Sequence, residues 1–183
     1  MSFHYNKYHT DKMLHPRIGH EGNVRTYIAN PYQMAAVNGR YYLICNYDKY
    51  DDVSNYRVDR ITDIKLLDTP VKPMKNVKGL EHGLNLPKHM AEHVYMFTGE
   101  SVPVTFRAKK YLLTDLFDWF GKEMQFTDET EEAVTVRVTV NLDAMRKWAL
   151  QYALHVKVLK PERLVDMLRE DVKRAAEQYE VLE

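Results

Sequence analysis

The chain has 183 residues, 45% of them hydrophobic and 28% charged, with 26 Lys and Arg against 26 Asp and Glu. That size suits one good domain or two small ones, and the composition is that of an ordinary globular protein rather than a disordered one. The balanced charge sets up no overall field toward nucleic acid or membrane. Cys45 has no second cysteine to pair with, and no run is apolar enough to span a bilayer or serve as a signal-peptide core, so a cytoplasmic protein is expected.

The cancellation conceals an asymmetry. Residues 1–80 hold 12 Lys and Arg against 8 Asp and Glu, and four histidines fall in the first twenty positions. This first stretch reads as β-structure. Phe3 and Tyr5 alternate with polar neighbours in SFHYNKY. VRTYIANPYQMAAV and RYYLICNY flank Asn38-Gly39, and an Asn-Gly pair between strand-like runs predicts a tight hairpin because both turn positions need a positive φ. A polar loop, DKYDDVSN, leads to YRVDRI and ITDIKLLD. Short strands without an amphipathic helix between them predict a small barrel or curled sheet over residues 1–70. The Pro- and Lys-rich TPVKPMKNVKG reads as a joint, opening a linker over 71–99.

Beyond it the hydrophobic period lengthens. LPKHMAEHVYMF predicts a short helix with Met90, Val94 and Phe97 on its inner face. SVPVTFR predicts a strand. AKKYLLTDLFDWFG predicts a helix burying Leu112, Leu116, Trp119 and Phe120 and stopping at Gly121. KEMQFTD and AVTVRVTV predict strands, and Asn141 is placed to cap LDAMRKWALQYA. HVKVL predicts a strand, and Pro161 opens a last helix striped by Leu164, Leu168, Val172, Ala175 and Tyr179. Strand, helix, strand, strand, helix, strand is the ferredoxin-like order, so residues 100–183 are expected to form such a unit with an extra helix. The fold class expected is α+β.

Two groups of residues carry candidate chemistry. His89, Glu92 and His93 match the H-x-x-E-H pattern of one class of zinc hydrolases. A catalytic zinc needs a third protein ligand, and no histidine follows until His155. The structural alternative makes the three residues the solvated side of a linking helix whose Met90 and Val94 face inward. That alternative is preferred, and no metal or cofactor is expected.

The denser signal lies in PYQM, GRYYLICNY and NYRVDRI, which mix aromatics with arginine. On a strand Arg57 and Asp59 share one face and Tyr56 and Val58 the other; Tyr42, Ile44 and Asn46 share a face opposite Tyr41, Leu43 and Cys45. Tyrosine stacks and arginine grips phosphate or carboxylate, a combination suited to a nucleotide or single-stranded nucleic acid. A purely structural reading pairs Asp59 with an arginine and uses the tyrosines as core walls. The chemistry alone leaves both open.

The run from Asn30 to Ile64 resembles a WYL domain, the small Sm/SH3-like barrel named for a Trp-Tyr-Leu triplet. The triplet falls on Tyr41-Tyr42-Leu43, so tyrosine stands in for tryptophan, with a smaller stacking face; the aromatic-Arg-apolar-Asp-Arg-Ile pattern falls on Tyr56 through Ile61, and Pro-Tyr on Pro31-Tyr32. TFRAKKYLLTDLFDWFG through the last helix resembles the extension that follows such domains. The resemblance implies a non-enzymatic ligand-sensing region of a bacterial transcriptional regulator. It implies a nucleotide or single-stranded nucleic acid held by Tyr42, Arg57 and Arg60, with Tyr32 and Arg40 as weaker additions. Asp59 would orient an arginine, and Tyr41 would be structural. Regulators of this kind read promoter DNA through a preceding helix-turn-helix, for which there is no room before Phe3. Either a sensor portion or a stand-alone protein is implied, working as a homodimer, and a free-standing RNA- or single-stranded-DNA-binding barrel is the alternative.

Overall fold

The computed structural model describes residues 1–179. The chain divides into two compact units, one of Met1–Leu86 and one beginning at Pro87. The protein is α+β, with a curled antiparallel sheet in the first unit and four α-helices among the described residues.

In the first unit the strands are β1 (Ser2–Tyr8), β2 (Leu14–Pro16), β3 (Thr26–Val37), β4 (Arg40–Tyr47), β5 (Val53–Arg57) and β6 (Ile61–Lys65). They pair in the order β2-β1-β3-β4-β5, and β6 pairs back onto β1. The sheet is therefore a half-barrel whose last strand returns to its first. A single 3-10 turn over Val58–Arg60 steers the chain from β5 to β6.

Asn38 and Gly39 take φ of 49° and 72°, and Val37 faces Arg40 across the turn they make. The predicted hairpin forms because asparagine and glycine alone tolerate that conformation cheaply. Alternation along the strands then sorts the side chains. Phe3, Tyr5, Tyr27, Ala29, Leu43, Cys45 and Tyr47 form the core, with Tyr56, Val58 and Ile61 packed against it.

Ile44, Asn46 and Val53 are buried although Ile44 and Asn46 alternate with core residues along β4. The stretch read as a joint accounts for part of this. Val77 and Leu80 are buried, Gly79 approaches the Val53 side chain, and Lys78 N–H donates to the Asp51 carbonyl. Lys72 N–H donates to Asn30 Oδ1 at 2.9 Å, and the Tyr32 hydroxyl donates to the Lys72 carbonyl at 2.7 Å. The Pro- and Lys-rich segment is thus fastened to the first unit, because its few apolar residues and its backbone both find partners there.

In the second unit α1 (Leu86–Glu92) leads to β7 (Ser101–Lys109), α2 (Leu113–Phe120), β8 (Gln125–Thr127), β9 (Ala133–Asn141), α3 (Leu142–Gln151), β10 (Val156–Lys160) and α4 (Glu162–Glu177). The antiparallel sheet runs β10-β7-β9-β8. Val134, Val136, Val138 and Val140 are all buried. Leu112 just before α2 is buried with Leu116 and Phe120 on the inner face of the helix, and Gly121 with φ 71° ends it. Asn141 Oδ1 accepts from Ala144 N–H at 2.9 Å, capping α3 as its position predicts. Trp148 is fully buried against Phe106, Phe120 and Tyr152.

Two expectations need correction. The helix expected to run to Phe97 stops at Glu92, where His93 leaves helical geometry and Tyr95 takes a φ of 60°. The stripe of α4 is buried at Leu164, partly buried at Leu168, and exposed at Val172 and Tyr179. Periodicity predicts one face of the helix, but only its first two turns have the sheet beneath them.

Candidate functional site

Tyr42 on β4 stands directly opposite Arg57 on β5. Paired positions in a sheet share a face, and Arg40 lies two residues before Tyr42 on that same face. The opposite faces of these strands supply Leu43 and Tyr56 to the core. The sheet therefore presents Arg40, Tyr42 and Arg57 together on one surface.

Asp59 grips Arg57 bidentately, Nε to Oδ1 at 3.0 Å and Nη2 to Oδ2 at 2.5 Å. The 3-10 turn after β5 is what lets a residue two positions on reach back to the guanidinium. Arg57 holds the Asp59 carboxyl below the usual carboxylate range, chiefly through these hydrogen bonds, and Arg60 adds to the effect by charge. Asp59 raises Arg57 further in return. The Arg57–Asp59 pair thus holds its charged form, and Arg60 adds a positive charge beside it. The Arg57 N–H donates to the Tyr5 hydroxyl at 3.2 Å, tying the site to the core.

Arg60 lies over the Tyr8 ring at 5.7 Å, and its Nε is buried with no hydrogen-bond partner. Tyr32 sits at the irregularity in β3 between Pro31 and Gln33, with its hydroxyl engaged by Lys72. Tyr41 is exposed at 61% and faces Ala36. The structure gathers Arg40, Tyr42, Arg57, Asp59 and Arg60, and places Tyr32 in the anchoring of the 72–80 segment.

The histidine motif has a different character from the solvated one expected. His89 is buried at 6% exposure and its ring stacks on His93, centroids 4.1 Å apart. His93 Nδ1 bonds the His89 carbonyl at 2.9 Å, and Glu92 lies 3.8 Å from Lys88. Burial, with the charge of His93 second, pushes His89 down to about 4. Burial also lowers His93, against its bond to the His89 carbonyl and the charge of Glu92. The short helix turns His89 inward, where a solvated residue was expected, and leaves Met90 half-buried; beyond its end His93 is partly buried and Val94 is buried as expected. Among the described residues no three His, Cys, Asp or Glu side chains are grouped to hold a metal ion.

A second set of cations escaped the sequence reading. Arg25 lies over the Tyr27 ring at 4.7 Å and the Tyr47 ring at 5.7 Å, and Arg17 over Tyr5 at 5.4 Å. The two-residue spacing of Arg25 and Tyr27 on an extended run was a usable signal. Nothing local marks Arg17, which reaches the cluster only because the chain doubles back between β2 and β3.

The WYL domain family model matches residues 1–66, and the WCX domain family model matches residues 100–176. No curated protein matches the chain. Among solved structures, the chain is similar to Proteasome accessory factor B/C (PafBC) of Arthrobacter aurescens, at 16% identity and a TM-score of 0.41 over 98% of this chain and 25% of that one. It is also similar to a CRISPR Cas-related protein, at 14% identity and a TM-score of 0.49 over 97% of this chain and 47% of that one. This chain thus spans about a quarter of the first and under half of the second. No helix among the described residues is long and apolar enough to cross a membrane.

Proposed function

We propose that this chain, which belongs to the WYL-domain family and pairs a WYL domain with a WCX domain, is the ligand-sensing region of a bacterial transcriptional regulator. The ligand is a nucleotide or a short single-stranded nucleic acid. It engages Tyr42, Arg57 and Arg60, with Arg40 at the margin, and Asp59 holds Arg57 in place. The observation that carries this reading is the Tyr42–Arg57 pair on one face, with the guanidinium fixed by a bidentate carboxylate. A fixed guanidinium loses less freedom on meeting a phosphate, and the neighbouring ring offers a base a stacking surface.

The same reading takes the first unit as a small Sm/SH3-like barrel over residues 1–70, joined through 71–99 to a ferredoxin-like unit over 100–183. The strand order β10-β7-β9-β8 supports the second assignment and the return of β6 to β1 the first. The protein acts in the cytoplasm as a homodimer and holds no cofactor. Ligand binding shifts how two protomers sit, and so the spacing of helix-turn-helix domains that meet promoter DNA. A ligand does this only by binding one arrangement better than the other.

The test is fluorescence anisotropy of a labelled single-stranded oligonucleotide titrated with the protein and with the Arg57→Ala, Arg60→Ala double variant at two salt concentrations. Saturable binding lost in the variant supports the site, and equal binding by both proteins refutes it. A free-standing nucleic-acid module would share these residues but bind any single strand with a steep salt dependence and respond to no small nucleotide.

A further inference from the structure

Between β2 and β3 the chain folds into a short arm. Gly19 N–H donates to the Asn23 carbonyl at 2.8 Å, Ile18 bridges Val24, and Arg25 N–H donates to the Arg17 carbonyl at 2.8 Å. Gly22, with φ 77°, makes the reversal possible. Arg17 and Arg25 therefore stand as neighbours at the base of the arm. Their guanidinium groups lie over rings of one aromatic cluster, Tyr5 for Arg17 and Tyr27 and Tyr47 for Arg25. Tyr5 and Tyr27 are themselves 6.1 Å apart, edge to face.

Two like charges side by side on paired backbone repel unless something neutralises them. Among the described residues no carboxylate pairs with either arginine, Glu21 of the arm included. The acids of this unit are turned elsewhere: Asp11 to His15, Asp51 to Lys72, Asp59 to Arg57 and Asp63 to His4. Arg25 donates one hydrogen bond, from Nη2 to the Tyr47 hydroxyl at 3.3 Å. The Arg17 guanidinium donates none among the described residues. Most of the donors of two adjacent forks are therefore unused, while the flat faces of both are fixed against aromatic rings. The oxygens of one phosphate group can accept from two such forks at once. Tyr50, half-exposed and edge-on to Tyr47 at 5.4 Å, adds a ring beside the pair on which a base could stack.

We infer that Arg17 and Arg25 form a second anion site in the first unit, separate from Arg57 and Arg60, which takes the phosphate of a nucleotide or of a nucleic-acid strand. The site shares no residue with the Tyr42–Arg57 surface, and it stands or falls independently of that proposal.

The experiment is calorimetric titration with inorganic pyrophosphate, run beside anisotropy with a short labelled oligothymidylate. The proteins are the full chain, Arg17→Gln with Arg25→Gln, Arg57→Gln with Arg60→Gln, and Arg17→Gln alone, all checked for an unchanged thermal midpoint. Because Arg17 makes no hydrogen bond through its side chain, the single variant keeps the test open if the double variant unfolds. The expected result is that the Arg57/Arg60 variant keeps a pyrophosphate binding event that the Arg17/Arg25 change weakens about tenfold or more, the loss of a charge-assisted fork. If the oligothymidylate binds here too, the slope of log affinity against log salt falls by about 0.7 for each phosphate contact removed. If the slope is unchanged while pyrophosphate binding drops, the phosphate is that of a small nucleotide. A titration of the Arg17/Arg25 variant that matches that of the full chain, or a full chain that never binds pyrophosphate, overturns the inference. Loss in both double variants means one continuous surface and overturns the claim of a separate site.

Discussion

Phe3, Tyr5, Tyr27, Tyr47 and Tyr56 fill the first unit, ring against ring at 4.9–6.1 Å, with arginines laid over the tyrosines. The second unit is filled by Val104, Val136, Val140, Leu116, Leu164, Phe106, Phe120 and Trp148. Both sets are buried, yet the first keeps hydroxyl tips, a buried Asn30–Asn46 pair and cations at its margin. A tyrosine interior is held partly by hydrogen bonds and ring edges, and it leaves groups able to meet a polar ligand. An aliphatic interior is held by volume and leaves none. The difference supports the proposal that the first unit holds the ligand.

The largest effect that would sharpen the contrast is Trp148→Ala. Emptying a fully buried indole site should cost about 3–5 kcal/mol by urea unfolding. A loss below about 1 kcal/mol would mean the second unit repacks freely and is not a rigid scaffold.

Next comes a buried polar group of that second unit. His89 is held near 4 in the folded protein against an ordinary value near 6.5. The unfolded chain therefore binds the proton first as pH falls. The contribution is complete above about pH 6.5, is lost on descending to about pH 4, and amounts to about 3 kcal/mol at most. Urea unfolding between pH 7 and 4 should show a steeper decline for the native chain than for His89→Gln. Parallel curves would sink the assignment.

Third is Asn46→Ala in the first unit. Asn46 is fully buried, donates to the Tyr50 and Asp52 carbonyls at 2.8 and 2.9 Å, and accepts from Asn30. Leaving those groups unpaired should cost about 2 kcal/mol, although little volume is lost. A neutral result would erase the distinction between a hydrogen-bonded interior and a packed one.

The smallest effect has the opposite sign. The Tyr27 hydroxyl is buried with no hydrogen-bond partner, so Tyr27→Phe should be neutral or stabilising by up to about 1 kcal/mol in thermal unfolding. A clear destabilisation would show that the hydroxyl has a role the geometry does not reveal.

Local signals determined a great deal of this protein. Asn38-Gly39 dictated its turn because of backbone sterics, the valine alternation of β9 dictated its faces, and Asn141 and Gly121 marked the ends of helices through capping chemistry. Each depends on neighbours a few residues apart, so a linear reading can see it. The pairing of Tyr42 with Arg57 was half-legible: strand parity assigns the faces, but which strands pair, and in what register, is a property of the sheet.

Tertiary structure alone decided the rest. The spacing of His89 and His93 cannot say which side of a seven-residue helix will meet a core. The apolar stripe of α4 runs past the sheet it would cover, so Val172 stays exposed. The Lys72–Leu80 stretch looks like a joint by composition, yet its backbone meets Asn30, Tyr32, Asp51 and Val53, 26 to 42 positions away, and its Val77 and Leu80 are buried. Arg17 and Arg25 become one feature only when the arm closes over tyrosines drawn from three strands. Partners distant in sequence meet through burial, and burial belongs to the folded surface as a whole.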